Sequence, residues 1–316
     1  MVDADSSTNA ATAAPVSNPP VIVPVVVITP VRDESRTLKL TLDSMLAQTC
    51  RPQEWVIVDD GSSDETPQIV ADYAARHDFI HLVHNQNRGF RQLGGGVIRA
   101  FDYGREHIRR DDWEYIVKLD GDMSFGPRYL EIMLDTLRRE PKLAAVSGKV
   151  FRPEGDRLVE EYHIDEMVVG QFKLYRRQAF EQIGGFTQTI LWDGIDIHRC
   201  RMHGWTTRSF HHPEAQLYHH RLMGSSDKSV YHGRVRLGRG IWFMGYHPLY
   251  TIASGLFRMH EKPYVIGGLI IIGSYFYAML RREPRFDDVE FRQYLQRWQL
   301  QRLRELPGRA LRRITG

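Results

Sequence analysis

The strongest constraint on the fold is a regular alternation of short apolar runs with amphipathic helical patterns. Four runs rich in β-branched residues predict strands, at residues 21–29, 55–58, 80–83 and 115–119. Three segments between or after these runs carry apolar side chains at helical spacing and predict helices, at 38–46, 67–76 and 92–108. This alternation is typical of an α/β protein with a doubly wound, mostly parallel sheet and flanking helices.

Polar clusters follow the predicted strands. They lie at Arg32–Glu34, Asp59–Ser63, Asn85–Arg91 and Asp120–Asp122. Sheets of this class bind ligands at the carboxyl ends of their strands. The sequence therefore predicts one ligand site built from these turns.

Two carboxylates end the fourth predicted strand. In an extended segment, side chains two residues apart point to the same side, so Asp120 and Asp122 can face one ion across Gly121. Hard oxygen ligands suit Mg²⁺ or Mn²⁺, ions that usually also hold substrate phosphates. Solvated loop aspartates are the alternative interpretation of this pattern alone.

The second half of the chain is less regular. Residues 127–139 predict a helix and 143–151 a strand, whereas 152–170 have many acidic residues and are expected to be irregular. A strand leading into a short helix is predicted at 172–180, a helix at 196–203 and a strand at 216–220. Ser35 is expected to cap the helix that starts near Leu38.

Composition excludes several classes of protein. The chain has 316 residues and a net charge of +3, and its two cysteines imply neither a disulfide framework nor a zinc site. Residues 281–316 hold ten arginines and five acidic residues, which suits anionic lipid or a solvated helix face. Because few aromatic residues interleave with these arginines, nucleic acid is not an expected partner.

The most apolar stretch of the chain covers residues 264–280 and is flanked by basic residues on both sides. At seventeen residues it is slightly short for a membrane span, so it predicts a helix in or on a membrane, or else a buried core helix. Residues 1–20 are rich in Ala, Ser, Thr and Pro, lack the pattern of a signal peptide, and are expected to be a disordered lead-in.

Together the motifs resemble the family-2 glycosyltransferases, which adopt the GT-A fold. The resemblance covers about residues 24–222 and rests on five segments in order: ITPVRDE at 28–34, VDDGSSD at 58–64, KLDGD at 118–122, GGF at 184–186 and WDGID at 192–196. It implies a nucleotide-diphosphate sugar donor (UDP-, dTDP- or GDP-linked), a divalent cation, Mg²⁺ or Mn²⁺, and an inverting transfer to an acceptor hydroxyl.

The resemblance also implies roles for individual residues. Asp60 matches the family aspartate that accepts a hydrogen bond from the base of the nucleotide, and Pro30 and Glu34 lie where the family contacts base and ribose. Asp122 is implied as the direct metal ligand, with Asp120 contacting both ribose and metal. For Asp60 the alternative is a turn and helix cap, and for Glu34 a first-turn helix residue.

The family places its catalytic base at an aspartate eleven residues before a Gly-aromatic pair. Gly204-Trp205 lies eleven residues after Asp193, so the spacing selects Asp193 over Asp196. This chain departs from the family in having Trp192 where an acid is usual. Asp196 is the second candidate, and it either orients Asp193 or caps the following helix.

Basic residues complete the candidate site. Many family members carry a His here that binds metal or diphosphate; the resemblance implies His219 for this role, with its neighbour His220 as the alternative. Arg88 and Arg91 can reach the diphosphate or sugar. Further candidates for the diphosphate are Lys228, Arg234 and Arg236, with solvated charge as the alternative.

The processive members carry a Gln-x-x-Arg-Trp motif, whereas residues 293–298 read QYLQRW, one residue longer. We therefore expect a non-processive glycosyltransferase that adds one sugar to a glycan or lipid-linked acceptor, such as a capsule or exopolysaccharide precursor. A polyprenyl-phosphate sugar synthase is the alternative within this fold, and a nucleotidyltransferase the alternative of another class. The expected organisation is a lead-in at 1–20, a catalytic domain at 21–225 and a basic helical region at 226–316, located at the cytoplasmic side of the inner membrane.

Overall fold

The computed structural model describes residues 19–86, 94–161, 163–220 and 229–315, with side chains to residue 305. The strands in these ranges lie between residues 21 and 219. They are β1 Val21–Val31, β2 Cys50–Asp59, β3 Ile80–His84, β4 Tyr115–Leu119, β5 Met123–Phe125, β6 Leu143–Gly148, β7 Val150–Glu154, β8 Arg157–Glu160, β9 Phe172–Arg176, β10 Thr206–Phe210 and β11 Leu217–His219. Within these residues they form a seven-stranded sheet, in the order β10-β6-β9-β4-β1-β2-β3, and a four-stranded sheet, in the order β5-β11-β7-β8.

The main sheet is built around β1. This strand pairs in parallel with β2 and with β4, and residues 25–28 are fully buried. Such two-sided burial explains the nearly continuous β-branched run. The indole N–H of Trp55 donates to the Thr29 hydroxyl at 2.9 Å and fixes β2 against β1. Because β9 runs antiparallel to both β4 and β6, the sheet is mixed, and the predicted α/β class is confirmed.

Helices cover both faces of the main sheet and form the C-terminal part. They are α1 Leu38–Leu46, α2 Thr66–Ala74, α3 Gly95–Glu106, α4 Tyr129–Arg139, α5 Arg177–Gln182, α6 Trp192–Met202, α7 Val230–Met244, α8 Pro248–Phe257, α9 Ile266–Leu280 and α10 Val289–Thr315. Side chains of α1, α2 and α4 share one core with one face of the sheet, and those of α3, α5 and α6 share a second core with the other face. This arrangement is the three-layer packing expected of a doubly wound sheet.

The small sheet was not predicted. Residues 152–170 were expected to be irregular, yet β7 and β8 form an antiparallel hairpin there. Val150 is the one buried residue among the strand residues of this hairpin, so the hairpin lacks the alternation of buried apolar and exposed polar residues that marks a strand. The predicted strand at 143–151 is two strands, β6 and β7, in different sheets. They separate after Gly148, where a Cβ would lie 1.9 Å from the Ala215 carbonyl oxygen.

Two predicted helix starts are wrong. Ser35 does not cap α1, which begins at Leu38, because the Ser35 N–H donates to the Asp64 carboxylate at 3.1 Å instead. The helix predicted to begin at Asp196 begins four residues earlier, at Trp192. It follows Leu191, whose left-handed backbone (φ 58°) allows the chain to turn sharply into α6.

The C-terminal helices pack on one another and on α6. Residues Phe291 and Leu295 of α10 share a small core with Ile195 of α6 and Met244 of α7. Helices α7 and α9 approach closely, since a Cβ at Gly238 would lie 2.5 Å from the Ile271 carbonyl oxygen. No helix in the described part of the chain combines the length and apolar character needed to cross a bilayer.

Candidate functional site

A cavity of about 360 Å³ lies at the carboxyl ends of β1, β2 and β4. These strands are parallel, so their ends meet at one edge of the sheet, as the sequence predicts. The described candidate residues Pro30, Glu34, Asp60, Asp120, Asp122, Asp193 and His219 all line this cavity. Residues that are more than 150 positions apart in the chain therefore share one cleft.

The turns after β1 and β2 are joined by hydrogen bonds. Arg32 donates to the Asp60 carbonyl oxygen at 3.0 Å, and the Glu34 N–H donates to the Thr66 hydroxyl at 2.8 Å. The Asp60 side chain is buried and accepts a hydrogen bond from the Asn85 amide at 2.9 Å. Asp64 lies in the same turn. Burial raises the pKa of its carboxyl group, but hydrogen bonds from Ser35 and Thr66 outweigh burial and lower this pKa to about 2. These contacts fix the backbone around Asp60 and Glu34.

The acidic turn after β4 meets β11 across the cavity. His219 Nε2 lies 3.5 Å from an Asp122 carboxylate oxygen, and His219 Nδ1 lies 3.0 Å from Glu161. Burial lowers the pKa of His219, but hydrogen bonds and charges from Asp122 and Glu161 outweigh it and raise this pKa to about 10. Asp120 is held instead by the ammonium group of Lys118.

His219 and His220 point to opposite sides of β11. His219 lines the cavity, whereas His220 Nε2 lies 2.7 Å from the Ser124 hydroxyl. Side chains of neighbouring residues alternate along an extended segment, so only one of the two histidines can face Asp122. Of the two histidines that the sequence leaves open, the geometry therefore favours His219.

No group of three or more His, Cys, Asp or Glu side chains in the described ranges is arranged to hold a metal ion as it stands. Within the cavity, Asp122 and His219 lie 3.5 Å apart. The carboxylate of this pair suits Mg²⁺ or Mn²⁺, and the imidazole is a ligand that favours a transition metal such as Mn²⁺ over Mg²⁺. A metal-binding His usually donates its other ring nitrogen to a carboxylate, and Glu161 occupies that position for His219.

Trp192 lies against two buried ammonium groups. Lys118 Nζ lies 5.2 Å from the centroid of the Trp192 ring, and Lys173 Nζ lies 5.1 Å from it. Both lysines are almost completely buried, at 2% and 0% exposure. Cation–π contact and the charge of each lysine's own carboxylate partner, Asp120 or Asp196, compensate for this burial.

Asp193 lies in the first turn of α6 and lines the same cavity as Asp60. Lys173 donates to its main-chain carbonyl oxygen at 3.1 Å, which anchors that turn to β9. The backbone at Gly170 is a neighbour of the carboxylate, since a Cβ there would be in van der Waals contact with Asp193 Oδ2, at 3.5 Å. The carboxylate is half-buried and faces the cavity.

Asp196 does not line the cavity. Its side chain is fully buried, lies 2.5 Å from Lys173 Nζ, and accepts a hydrogen bond from the Tyr175 hydroxyl at 2.7 Å. Burial and the nearby Asp196 charge raise the pKa of Tyr175 well above its ordinary value, so Tyr175 remains a donor. The expectation that Asp196 caps a helix is wrong, because α6 starts before it.

Because Asp196 lies in a buried ion pair, we expect Asp196→Ala to lower the free energy of unfolding by about 3 kcal/mol. The substitution would leave the Lys173 ammonium group buried without its carboxylate. Urea titration followed by circular dichroism measures this effect, with Asp156→Ala on the exposed β7–β8 turn as the matched control. An Asp196→Ala protein as stable as the control would show that the pair does not hold α6 on β9.

Several basic candidates lie elsewhere or are not described. Arg88, Arg91 and Lys228 fall outside the described residues. Arg234 pairs with Glu261 at 2.8 Å, so the structure gives it a role in packing α7 on the turn before α9. Arg236 does not line the cleft but faces a second cavity.

Among the polar and aromatic side chains that line the cleft, sequence reasoning missed four: Lys118, His163, Gln171 and Trp192. A lysine within an apolar strand is a signal for Lys118, because a buried charge requires a partner. His163 and Gln171 belong to the segment around 152–170, which has no readable periodicity. Trp192 was noted only as a departure from the family.

The family model described as glycosyl transferase family 2 matches residues 26–202, more than half of the chain. The chain belongs to glycosyl transferase family 2. It is a glycosyltransferase, and the matched segment carries every cleft-lining candidate residue except His219.

Other proteins resemble parts of this glycosyltransferase. Poly-beta-1,6-N-acetyl-D-glucosamine synthase of Staphylococcus epidermidis is 33% identical over 116 residues, which is 37% of this chain and 26% of that protein. The synthase of the same description from Staphylococcus aureus is 30% identical over the same length. The chain thus aligns with about a quarter of the length of these curated relatives.

Solved structures share the fold. The mannosyltransferase PcManGT from Pyrobaculum calidifontis, solved in complex with GDP-Man and Mn²⁺, superposes with a TM-score of 0.50 at 17% identity, over 84% of this chain and 78% of that one. The S. aureus TarS 1–349 structure gives a TM-score of 0.50 at 13% identity, over 82% and 72% of the two chains. These likenesses, together with the mixed sheet and its flanking helices, are consistent with a GT-A fold.

Proposed function

We propose that this glycosyltransferase moves one sugar, with inversion, from a nucleotide-diphosphate sugar to a hydroxyl of a glycan or lipid-linked acceptor. The observation that carries the proposal is the single cleft at the strand ends, where Asp60, Asp122, Asp193 and His219 face one another. An inverting displacement needs a group that stabilises the leaving diphosphate on one side of the sugar and a base on the other. In the cleft, Asp122 and His219 could hold a cation for the leaving diphosphate, and the Asp193 carboxylate could act as the base.

The nucleotide would lie along the ends of β1 and β2. Asp60, fixed by Arg32 and Asn85, is placed to accept a hydrogen bond from an N–H of the nucleotide base. Pro30 and Glu34 line the same end of the cleft and would contact base and ribose. The first turn of α3, at Gly94 and Gly96, also lines the cleft, and its main-chain N–H groups suit an anionic diphosphate.

Asp122 and His219 would hold a divalent cation, with Glu161 orienting His219. That cation would supply positive charge to the leaving diphosphate. Asp120 is held by Lys118 in this arrangement, so its contribution to the ion would require exchange of that ammonium partner. We therefore assign Asp122 the larger role and Asp120 a role in both ribose and ion contacts.

Asp193 would act as the general base. Its main chain is anchored by Lys173 and its carboxylate faces the cleft, so it can accept the proton of an acceptor hydroxyl. The burial and pairing of Asp196 with Lys173 leave Asp193 as the better candidate of the two.

The residues around QYLQRW support transfer of a single sugar. Trp298 packs against the rings of His198 and Tyr250 and lies under the guanidinium groups of Arg201 and Arg302. It lines neither of the two cavities next to Asp193. Trp298 of the QYLQRW segment therefore anchors α10 on α6. This packing role gives the segment no evident part in holding a growing polymer.

A donor panel tests the proposal. Nucleotide release from UDP-, dTDP- and GDP-sugars is measured with Mn²⁺, with Mg²⁺ and with EDTA, and the product is examined by proton NMR. We expect release with one class of donor, its loss in EDTA, and an anomeric configuration opposite to that of the donor. Release unaffected by EDTA, or a product that retains the donor's configuration, would contradict the proposal.

We also propose that the enzyme works at the cytoplasmic face of the inner membrane, through one face of α9. The exposed positions of α9 are Ile266, Leu269, Gly273, Tyr277 and Leu280, and we call them the α9 stripe. Their spacing puts them on one side of the helix over about 21 Å. Arg281 and Arg282 follow the stripe, and the exposed Leu256 and Phe257 of α8 lie near its other end.

An apolar surface bordered by arginine suits the anionic lipids of a cytoplasmic leaflet. The proposed division into a catalytic part at 21–225 and a membrane-associated helical part at 226–316 rests on the same reasoning.

Leu269→Glu is expected to lower the partition of the protein onto anionic vesicles by about tenfold or more, because burial of one leucine contributes about 1.5–3 kcal/mol. Co-sedimentation with vesicles that contain phosphatidylglycerol measures this. Leu158→Glu on β8, with 57% exposure against 54% for Leu269, is the matched control. Equal partition of both variants and wild type would contradict the proposal, as would a change in oligomeric state of Leu269→Glu alone, which would indicate a protein interface.

A further inference from the structure

A second cavity, of about 300 Å³, lies beside the cleft between the start of α6 and the first half of α7. It shares Gly94, Trp192 and Asp193 with the cleft, so these residues form a common wall. Its volume is at the lower end of the range of small-molecule sites. Asp193 can therefore contact one molecule in each cavity.

The rest of the second cavity is apolar except at one point. Ile190, Leu191 and Leu237 supply apolar side chains, and Arg236 of α7 supplies the charge opposite in sign to Asp193. Apolar walls suit the C–H faces of a sugar ring. An arginine fork binds phosphate or carboxylate through two hydrogen bonds, which a neutral sugar cannot match.

The α7 wall is held in place by close packing. A Cβ at Gly240 would lie 2.9 Å from the Leu191 side chain, and a Cβ at Gly194 of α6 would lie 3.3 Å from Met244. Gly238 packs as closely on α9, as described above. Arg236 lies one helical turn from Gly240, so its backbone has a fixed position relative to Asp193.

We propose that the second cavity binds the acceptor, and that Arg236 selects acceptors carrying a phosphate or carboxylate close to the reacting hydroxyl. This inference rests on the proposed function, in which Asp193 is the base. The acceptor oxygen forms a bond to the anomeric carbon as the bond from that carbon to the donor phosphate oxygen breaks. The hydroxyl proton passes to Asp193, and the electron pair of the broken bond leaves with the nucleoside diphosphate.

Acceptor binding, measured separately from catalysis, tests this assignment. Glucose, mannose and N-acetylglucosamine, each compared with its 6-phosphate, are titrated by calorimetry into enzyme loaded with Mn²⁺ and the nucleoside diphosphate of the active donor. For at least one sugar we expect the phosphate form to bind wild type about tenfold more tightly, a preference that is lost in Arg236→Gln and partly kept in Arg236→Lys. Arg239→Gln, at an exposed arginine one turn further along α7 that pairs with Glu283, should keep the preference.

A second arm of the experiment distinguishes a soluble phosphate from a lipid-borne one. In this arm, a short-chain prenyl-diphosphate-linked sugar in detergent replaces the sugar phosphates. A preference for either kind of anion that depends on Arg236 supports the assignment, and the arm that shows it identifies a soluble or a lipid-borne phosphate. Equal binding of charged and neutral sugars by wild type in both arms would overturn it, as would a preference that survives in Arg236→Gln.

Failure of the proposed function would have a different signature. Nucleotide would then fail to bind wild type, or its release would not depend on the cation, whatever the behaviour of the acceptor sugars. If wild type binds nucleotide normally but shows no preference for the phosphate form of any sugar, only the assignment of the second cavity is wrong and the proposed function stands.

Discussion

Asp122→Ala is expected to lower kcat/KM by about 10³-fold or more, which corresponds to about 4 kcal/mol of transition-state stabilisation. The substitution removes the carboxylate that, with His219, would hold the cation beside the leaving diphosphate. The loss should appear in kcat as well as in KM, because charge on the diphosphate grows as the bond to the sugar breaks. Steady-state assays with the preferred donor, over a range of Mn²⁺ concentrations, measure it.

Two observations separate this effect from unfolding. His219 keeps Glu161 as a partner in Asp122→Ala, so this variant should keep the circular dichroism spectrum of wild type, and its affinity for Mn²⁺ in the presence of nucleotide should fall. Asp156→Ala, at an exposed turn, should change neither quantity. A variant that keeps wild-type kcat/KM would show that the acidic turn after β4 does not act in catalysis.

Asp193→Asn is expected to lower kcat by about 10³-fold while donor and cation still bind with nearly wild-type affinity. The amide keeps the shape of the side chain but cannot take the acceptor proton, and general-base catalysis typically contributes 10² to 10⁴-fold. The main-chain contact from Lys173 does not involve the side chain, so the first turn of α6 should stay in place. Single-turnover transfer and nucleotide binding by calorimetry measure the two quantities separately.

Asp193→Asn also distinguishes a hydroxyl acceptor from a phosphate acceptor. A phosphate acceptor needs no strong base, because its oxygen is already ionised. If Asp193→Asn kept most of its transfer activity, the product would be expected to be a glycosyl phosphate, and the base assignment would be wrong.

The fold was predictable where both sides of an element are buried. The bounds predicted for β4 are those observed, because all five of its side chains are buried and the chain around it is polar. The strand ends could also be placed, since acidic turns interrupt the apolar runs at Asp60 and Asp120. Given parallel strands, their convergence on one cleft follows from topology alone.

Other features depend on tertiary contacts that no local pattern encodes. The hairpin of β7 and β8 buries only Val150 among its strand residues, and α6 starts after a left-handed Leu191 that is not a usual turn residue. The ion pairs of two buried lysines were also not predictable. Lys118 pairs with Asp120, which the sequence assigns to ribose and metal, and Lys173 pairs with Asp196, which the sequence assigns to a second base candidate or a helix cap. Likewise, α9 is apolar on all sides, and only its packing shows that one face is covered by α7 and the other is exposed.

A crystal structure with Mn²⁺ and the nucleoside diphosphate of the preferred donor tests the central claim most directly. Anomalous scattering locates the Mn²⁺ without reference to the chemistry. We predict a peak bonded to Asp122 and His219 Nε2, with the diphosphate next to it and the nucleotide base against Asp60. A nucleotide bound outside the cleft between Asp60 and Asp193, or a manganese peak remote from Asp122, would contradict the account.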